Sequence, residues 1–298
     1  MFLHILEKSG CFDSCYIPYL KIGIDGVVKQ LKNLNQNKAT GPDELPAKVL
    51  KETAAEIAPI ITHIFQQSYN TSKLPDDWLQ ALVTPIHKKN LKSDPANYRP
   101  ISLTCILCKV MEHIILSNMW KHLHKHNIIL HFQHGFQSGL SCESQLIETV
   151  HDWITAMDNK TQIDAILLDF AKAFDKVPHK RLLSKLAFYG ITGNTKNWIK
   201  SFLSHRKQRV SVNGTLSDNT CVNSGVPQGS VLGPVLFLLY INDINNNIQS
   251  PIRLFADDSI IYRKIKSETD NNILQSDLIQ LQSNGKWSLT SPNVCISQ

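Results

Sequence analysis

The sequence has no long apolar run, no internal repeat and no low-complexity tract, and these absences exclude several classes of protein. The longest apolar run, VLGPVLFLLYI, is too short to cross a bilayer, so we expect no membrane segment. The N-terminal MFLHILEKSG meets Glu7 and Lys8 too early for a secretory signal, which predicts an intracellular, unsecreted protein. Only 19% of the 298 residues are charged and 42% are hydrophobic, a balance typical of one large or two modest folded domains and not of a disordered chain.

Cysteine and histidine also form no clear disulfide or metal pattern. The seven cysteines are scattered and odd in number, which favours a reducing compartment. Cys105 and Cys108 have a spacing found in zinc sites, but they lie in the apolar run ISLTCILCKVMEHII without a second pair. We therefore interpret them as small buried side chains on one helix. The histidines between residues 122 and 134 lack a supporting acid or cysteine set, so we interpret them as a solvated, partly basic helix end.

Positive charge is concentrated in two tracts, although the formal net charge is only +6. The tracts run from Thr84 to His126 and from Lys172 to Arg209, and both contain few acids. Basic tracts on either side of acidic metal-ligand candidates favour a polyanionic partner next to a cation site. The alternative is a solvated lysine-rich surface without a partner.

Hydrophobic periodicity predicts a helix-rich first part followed by short strands, helices and a β-hairpin. This order is typical of an α+β domain whose small antiparallel sheet is backed by helices. A loop, KKNLKSDPANYRP, is predicted after the first strand. The predicted helices lie within Asp25–Tyr69, from about Ser102 to Lys125, from Ser141 to Met157, in LLSKLAFYG ending on Gly190, in NTKNWIKSFLS, and after GVPQGS to about Asn242. The predicted strands are Leu82–His87, Ile163–Asp169, RVSVNG with a turn at Asn213-Gly214, Ile252–Phe255 and Ile260–Tyr262.

Three acids stand next to these strands. Asp169 ends the strand in ILLDFAKAFD, and Asp257 and Asp258 lie at the tip of the hairpin RLFADDSIIY. Carboxylates beside an apolar core are costly unless a cation offsets their repulsion. Three acids that converge on divalent ions suit phosphoryl-transfer chemistry, although acids are also ordinary in turns. Since neighbouring strand residues point to opposite faces, Asp257 and Asp258 can reach one ion only if a tight turn redirects one of them.

Three further segments contain groups that suit a nucleotide. Phe174 follows the first acid by five residues, and its ring could lie under a sugar or could simply pack against the first helical turn. The segment SGVPQGSVLGPVLFLLYINDI places small residues before a helix, where backbone can approach a ligand closely, and Gln228 offers an amide to a base or sugar. Lys88 and Lys89 together with Arg99 suit a triphosphate clamp.

In this order the segments resemble the reverse transcriptases of non-LTR retrotransposons, the long interspersed elements of the jockey-like branch. The resemblance runs from about Lys21 to near the C-terminus. It rests on NKATGPDELPAKVLK, PIHKKNLKSDPANYRPISL, QHGF, LLDFAKAFDKVPH, GVPQGSVLGPVLFLLYINDI and LFADDSIIY. It implies an RNA-directed DNA polymerase, a nucleotidyltransferase that adds dNTPs to the 3′-hydroxyl of a DNA primer on an RNA template.

The resemblance also implies a right-hand polymerase of the α+β class, with fingers and palm but with the thumb largely missing. The fingers would come mainly from residues near 70–160, and the palm, with its small antiparallel sheet, from 161–175 and 205–298. Residues 1–68 would be an N-terminal helical extension leading into the fingers. Residues 69–298 would be the reverse transcriptase domain, truncated before the thumb.

The same resemblance implies a role for each site residue. Asp169 and Asp257, assisted by Asp258, would be catalytic and would hold two Mg²⁺ ions, with Mn²⁺ as an alternative. Phe174 would exclude a ribose 2′-hydroxyl, Gln228 would lie beside the incoming nucleotide, and the following glycine would let the template approach. The residues implied to bind the dNTP are Lys88, Lys89, Arg99, Phe170, Ala173, Phe174, Gln228 and Gly229.

The sequence departs from this family at three positions. Gln137 and Leu140 replace two arginines of the usual GFRxGRS, and Val294 replaces a lysine thought to protonate pyrophosphate. We also expect that no endonuclease domain precedes Lys21, so that the chain is a fragment of a larger element protein or a decayed genomic copy. The alternative function is therefore a catalytically dead, truncated remnant that at most binds nucleic acid. The resemblance to this family also implies that the protein acts in the nucleus.

Overall fold

The computed structural model describes residues 15–170 and 172–284 and the backbone of residues 293–294. Within these ranges the chain forms two compact units. The first unit extends to Ile128 and includes Phe174–Leu236, and the second contains Ile129–Ala173 and the chain from Phe237 onward. None of the described helices combines the length and apolar character that a bilayer crossing requires.

Helices predominate at the start of the described chain, and strands and helices are interspersed after it. Two short 3-10 helices, Asp76–Leu79 and Pro95–Asn97, precede the first two strands. The α-helices are α1 (Ile24–Lys32), α2 (Ala47–Glu52), α3 (Ala54–Thr71), α4 (Ile106–Lys125), α5 (Cys142–Asp158), α6 (His179–Phe188), α7 (Gly193–Leu203), α8 (Gly233–Ile241) and α9 (Glu268–Asn284). The strands are β1 (Gln80–His87), β2 (Tyr98–Leu103), β3 (Gln162–Leu168), β4 (Arg206–Val212), β5 (Thr215–Leu216), β6 (Thr220–Val222), β7 (Ile252–Phe255), β8 (Asp258–Ile265) and β9 (Asn293–Val294).

The first unit contains a mixed sheet and a helical core. Its strand order is β2-β1-β4-β5, with β6 also paired to β4. β1 is antiparallel to β2 and parallel to β4. In α7 the predicted apolar face is fully buried at Trp198, Ile199, Phe202 and Leu203, and the indole N–H of Trp198 donates to Ser68 Oγ at 3.1 Å. A buried indole with a partner satisfies its one donor, so this face anchors α7 against α3.

The second unit contains an antiparallel sheet with strand order β7-β8-β3-β9. α5 packs against β3 and β7, and α9 packs against β8. The hairpin β7–β8 has a two-residue connection, because Phe255 pairs with Asp258. The predicted class, mixed α and β with a small antiparallel sheet accompanied by helices, is confirmed.

Most predicted elements are confirmed, including the helices at α4, α5, α7 and α8, the strand β3 and the hairpin β7–β8. The predicted turn at Asn213-Gly214 has positive φ at both residues, 51° and 82°, as a tight hairpin between right-twisted strands requires. The helix predicted to end at Gly190 is α6, and Gly190, which follows it, has positive φ. The short strand β6 and the helix α9 are additions that periodicity did not indicate.

Two predictions were wrong. The predicted loop 88–100 is too long at its end and the predicted helix start near Ser102 is too early, because Tyr98–Leu103 form β2 and α4 begins only at Ile106. Pro100 is tolerated there because β2 is an edge strand, where a missing N–H leaves no ladder bond unmade. The histidine cluster is not wholly solvated, because His122 and His134 are buried. The His122 ring bonds to the Tyr189 carbonyl oxygen at 2.7 Å, and such a partner offsets the cost of burying an imidazole.

Candidate active site

Two of the three predicted acids lie at the same end of neighbouring strands. Asp169 directly follows β3, and Asp258 is the first residue of β8. β3 and β8 are antiparallel, with Leu168 opposite Ser259. The register therefore brings Asp169 and Asp258 to one edge of the sheet, although 89 positions separate them in the sequence.

The third acid, Asp257, lies in the turn between β7 and β8, preceded by Ala256. Ala256 has a φ of 56°, a left-handed conformation that residues with a Cβ seldom adopt. The tight turn that two adjacent acids need in order to approach one ion is therefore present. Because Asp257 is outside the strand, its side chain does not follow the strict alternation of β8.

The charges at this edge influence each other. Partial burial and the negative charge of Asp169 both raise the pKa of the Asp258 carboxyl. Within the described ranges, no group of three or more His, Cys, Asp and Glu side chains is arranged as a ready-made metal site.

Asp169 and Asp258 line an open groove of about 580 Å³ in the second unit. Its walls are mainly apolar and come from α5 and from the strand face that carries the two acids, with Trp153, Leu167 and Ile260 among them. A carboxylate pair at the edge of an apolar groove is a setting in which a cation or a polar ligand would be held strongly, since few other charges screen it.

A positive charge that lines this groove is already paired with other acids. The Arg253 guanidinium, which also lines the groove, makes ion pairs with Glu148 at 2.6 Å and with Asp152 at 2.8 Å. Burial opposes ionisation of Asp152, but hydrogen bonds from Tyr262 and Arg253 bring the net pKa of its carboxyl below the usual value. Arg253 therefore joins β7 to α5.

In the first unit, the three predicted phosphate-binding cations come together at the end of one hairpin. Ile86 of β1 pairs with Arg99 of β2, and the Lys88 N–H donates to the Asn97 carbonyl at 2.8 Å just beyond β1. Lys88, Lys89 and Arg99 are all exposed. Three exposed cations on one hairpin tip can bind an anion without first breaking a buried ion pair.

The segment with Gln228 and Gly229 is fastened to β2. The Ser102 N–H donates to the Gln228 carbonyl at 2.8 Å. Gly229 has a φ of 108°, and a Cβ there would lie 2.7 Å from the Ser102 carbonyl oxygen. This glycine is thus required by a protein backbone contact, while its predicted role toward the template stays a prediction. The Gln228 side chain lines a cavity of about 310 Å³ in the first unit, and its Oε1 is buried without a hydrogen-bond partner among the described residues.

The aromatic segment after the first acid differs in exposure along its length. Phe170 and Ala173 are buried, whereas Phe174 is half-buried. The Phe174 carbonyl accepts the Val226 N–H at 2.8 Å. Residues 172–176 form a turn, so Phe174 does not pack within a first helical turn, which was the alternative to a role beside a sugar. The roles of all three residues toward a nucleotide stay predictions.

One supporting residue, Glu112 of α4, was not predicted from the sequence. It is fully buried, and its Oε2 accepts the N–H groups of Val231 and Leu232 at 2.8 and 2.9 Å. Burial raises its pKa. Glu112 therefore fixes the chain three residues after Gln228. The available signal was an acid on the otherwise apolar face of α4.

The three departures from the family pattern have different surroundings. Gln137 is half-buried and its amide donates to the Gln133 carbonyl oxygen, while Leu140 is exposed. Val294 pairs with Ile166 of β3. The segment preceding it, residues 285–292, lies outside the described residues. The interpretation of Cys105 and Cys108 as buried thiols is confirmed.

Comparison with known proteins shows the family to which the chain belongs. The model of the family described as reverse transcriptase (RNA-dependent DNA polymerase) matches residues 86–290, more than half of the chain. The chain therefore belongs to the reverse transcriptase family.

The curated relatives of the chain show that it is a reverse transcriptase of the jockey-like non-LTR type. The chain is 31% identical over 260 residues to the RNA-directed DNA polymerase from mobile element jockey of Drosophila melanogaster, covering 84% of this chain and 28% of the relative. It is 30% identical over 256 residues to the probable RNA-directed DNA polymerase from transposon X-element of the same species, covering 82% and 27%. A Pol polyprotein from the type-1 retrotransposable element R2 of Popillia japonica is 25% identical over 79% of this chain. The chain thus spans little more than a quarter of the first two relatives.

Proposed function

We propose that this chain is the polymerase region of a retrotransposon protein and joins dNTPs to a primer 3′-hydroxyl on an RNA template. The observation that carries the proposal is the meeting of Asp169 and Asp258 at one sheet edge, where the charge of one raises the pKa of the other. Two carboxylates held in mutual repulsion are a poor structural arrangement but a good cation site.

The residues present fit divalent ions. Asp169, Asp257 and Asp258 offer only oxygen ligands, which suits Mg²⁺, with Mn²⁺ as an alternative. Mg²⁺ commonly takes one or two carboxylates and completes its shell with substrate phosphates and water, so a ready-made three-ligand group is not needed. When bound, two such ions would lower the pKa of the primer 3′-hydroxyl and neutralise the departing pyrophosphate.

The remaining predicted residues would bind the nucleotide. Lys88, Lys89 and Arg99, exposed on the β1–β2 hairpin, would hold the triphosphate, because charge-assisted hydrogen bonds to phosphate oxygens are strong. Phe174 would exclude a ribose 2′-hydroxyl by its bulk. The amide of Gln228 would then hydrogen-bond the base or sugar of the incoming nucleotide.

The domain assignments are part of the same proposal. Residues near 70–160 would be fingers, and 161–175 with 205–298 the palm, of a right-hand polymerase whose thumb and endonuclease belong to the rest of the parent protein. Phe170 and Ala173 would support the nucleotide site from the interior of the fold, since both are buried. The reaction would take place in the nucleus on an RNA template paired with a DNA primer.

Primer extension tests this function. The full chain is incubated with poly(rA)/oligo(dT), dTTP and Mg²⁺, and wild type is compared with Asp169→Asn and Asp257→Ala. Asp164→Asn is the matched control, because Asp164 lies on β3 at the end away from the site and contacts Gln162. We expect extension by wild type and the control, and loss of extension in the two site variants. Equal extension by all four proteins would remove the polymerase proposal.

The second candidate is a non-catalytic remnant that binds nucleic acid. It is favoured by Leu140, which is exposed, and by Val294, because the resemblance described above implies basic residues at both positions. This candidate predicts no extension by wild type but binding of RNA–DNA hybrid that weakens as salt rises, because counterions are released on binding. Filter binding across a salt series decides it, and absence of binding at low salt would reject it.

A further inference from the structure

The turn that presents Asp257 and Asp258 contains an unusual backbone conformation. Ala256 has a φ of 56° although it is not glycine. It is also buried, with 6% of its surface exposed. A left-handed residue with a Cβ persists only when its surroundings hold it in place. Some neighbouring group must therefore hold Ala256.

One side chain bonds both polar backbone groups of Ala256. Gln133 Oε1 accepts the Ala256 N–H at 2.8 Å, and Gln133 Nε2 donates to the Ala256 carbonyl oxygen at 3.3 Å. The N–H belongs to the peptide plane before Ala256, and the carbonyl belongs to the plane that joins it to Asp257. Holding both planes fixes φ and ψ of Ala256 and hence the direction in which the chain enters Asp257.

Gln133 is itself held rigidly. It is 2% exposed, and its Oε1 also accepts the Gly135 N–H at 2.8 Å. Its backbone forms a parallel bridge to Leu254 of β7, and the Leu254 carbonyl accepts the His134 N–H at 2.9 Å. The amide is thus anchored to the hairpin on which it acts.

Gly135 permits this close approach. A Cβ at Gly135 would lie 2.2 Å from the Ala256 nitrogen, a distance that no side chain can accept without a backbone shift. The segment QHG therefore has a physical requirement at its first and third residues. The first supplies the amide, and the third leaves room for the turn.

We infer that Gln133 is a positioning residue that holds Ala256 in its left-handed conformation and so sets the places of Asp257 and Asp258 for cation binding. This inference rests on the proposed function, because that function requires Asp257 and Asp258 to bind a cation. Gln133 touches neither substrate nor cation; it acts through the backbone of the turn. A residue with a purely structural role would support the fold without affecting cation affinity.

The test compares two replacements of Gln133 in the full chain. Gln133→Met keeps the size but loses all three hydrogen bonds. Gln133→Glu keeps an oxygen that can accept both N–H groups and loses only the donated bond. The control is Asp277→Leu, since Asp277 is also 2% exposed and accepts two backbone N–H groups, those of Gln249 and Ser250, away from the turn.

Three measurements are made on each protein: Mn²⁺ affinity by calorimetry, amide hydrogen exchange at residue 256, and kcat with KM for dTTP. For Gln133→Met we expect Mn²⁺ affinity and kcat each to fall about tenfold, the usual effect of losing a group that orients ligands, with KM unchanged and exchange at Ala256 accelerated. Gln133→Glu should recover most of both losses. Asp277→Leu should lower the unfolding midpoint and leave Mn²⁺ affinity unchanged.

The outcomes separate the two proposals. Equal Mn²⁺ affinity in wild type and a folded Gln133→Met, or an equal loss in Asp277→Leu, overturns the positioning role and leaves the polymerase proposal intact. Absence of Mn²⁺ binding by wild type also overturns the positioning role. Mn²⁺ binding that depends on Gln133, together with no primer extension by wild type, supports the positioning role and rejects the polymerase function. If Gln133→Met does not fold, the shorter Gln133→Asn takes its place with the same expected results.

Discussion

Replacing Glu112 by leucine should destabilise the protein far more than replacing it by glutamine. Both bonds from the backbone, from Val231 and Leu232, end on the same carboxylate oxygen, and the other oxygen faces the Cys108 thiol at 3.8 Å. A glutamine can place its Oε1 where both N–H groups point and its amide nitrogen toward the sulfur. Leucine leaves both N–H groups buried without an acceptor.

The magnitude follows from these two bonds. Each orphaned buried donor costs about 1–3 kcal/mol, so the leucine variant should lose about 2–6 kcal/mol of unfolding free energy. The glutamine variant keeps both accepted bonds; it loses their charge assistance, about 1 kcal/mol, but it also avoids the cost of burying a charge, which raises the pKa of Glu112. Against a typical total of about 5–15 kcal/mol, the first loss is a large fraction and the second a small one.

The same pair of variants predicts a pH effect. Burial raises the pKa of Glu112 above its ordinary value of 4.5, against the opposing influence of two backbone N–H groups, Arg206 and Lys109. Because the folded state then binds the proton more tightly than the unfolded state, stability falls as pH rises from that value through the raised pKa. Glu112→Gln removes this group, so its stability should depend less on pH over that interval.

Urea unfolding followed by tryptophan fluorescence measures both effects, since linear extrapolation yields the free energy of unfolding at each pH. Primer extension on the same samples shows whether the segment near Gln228 keeps its place. Equal losses in Glu112→Leu and Glu112→Gln would refute this account, because the two accepted hydrogen bonds could then not be the source of the effect.

Two further predictions test the supports of each unit. Gly229→Ala should cost more unfolding free energy than Gly214→Ala, because both glycines have positive φ but only Gly229 has a carbonyl oxygen 2.7 Å from the added Cβ. The strain from positive φ alone is about 1–2 kcal/mol and is common to both variants. Equal urea midpoints for the two variants would contradict the close approach at Gly229. Arg253→Gln should flatten the acid limb of the stability profile. Burial opposes the ionised form of Asp152, yet bonds from Tyr262 and Arg253 lower its pKa, so its contribution is present above the unfolded pKa and lost as pH falls through the folded one. Since Asp152 is 36% exposed, solvent screening limits the contribution of the Arg253–Asp152 pair to about 1 kcal/mol of unfolding free energy. Thermal unfolding of both proteins at acid and neutral pH measures the effect. The same pH dependence in Arg253→Gln and wild type would show that the ion pair contributes nothing.

The elements found from the sequence are those whose signal is local. The short apolar runs in ILLD and LFADDSIIY predict β3 and the hairpin β7–β8, because a short continuous apolar run bounded by turn residues is typical of a buried strand. The acids were found because each ends such a strand. β2 was missed because its pairing with β1 is set by a strand about fifteen positions away, and its own residues, with a proline among them, resemble a loop.

The supports of the site carry no such local signal. Gln133 and Ala256 are 123 positions apart, and Glu112 and Val231 are 119 apart. A glutamine before a glycine, or a glutamate on a helix, is ordinary in sequence, and only the folded chain shows that each accepts two backbone N–H groups at a turn or a helix start. His122 and His134 were misjudged for the same reason, since their partners lie on other elements.

This difference bears on how activity is read from retrotransposon sequences. Three aspartates can persist in a decaying copy while a single change at Gln133 releases the turn that presents two of them. If the proposed function holds, the acids supply the chemistry, and the Gln133 amide decides whether Asp257 and Asp258 are held where that chemistry needs them. The Gln133→Met variant, which keeps all three acids, should therefore bind Mn²⁺ about tenfold more weakly than wild type, and equal affinities would show that presence of the acids is sufficient without the support of Gln133.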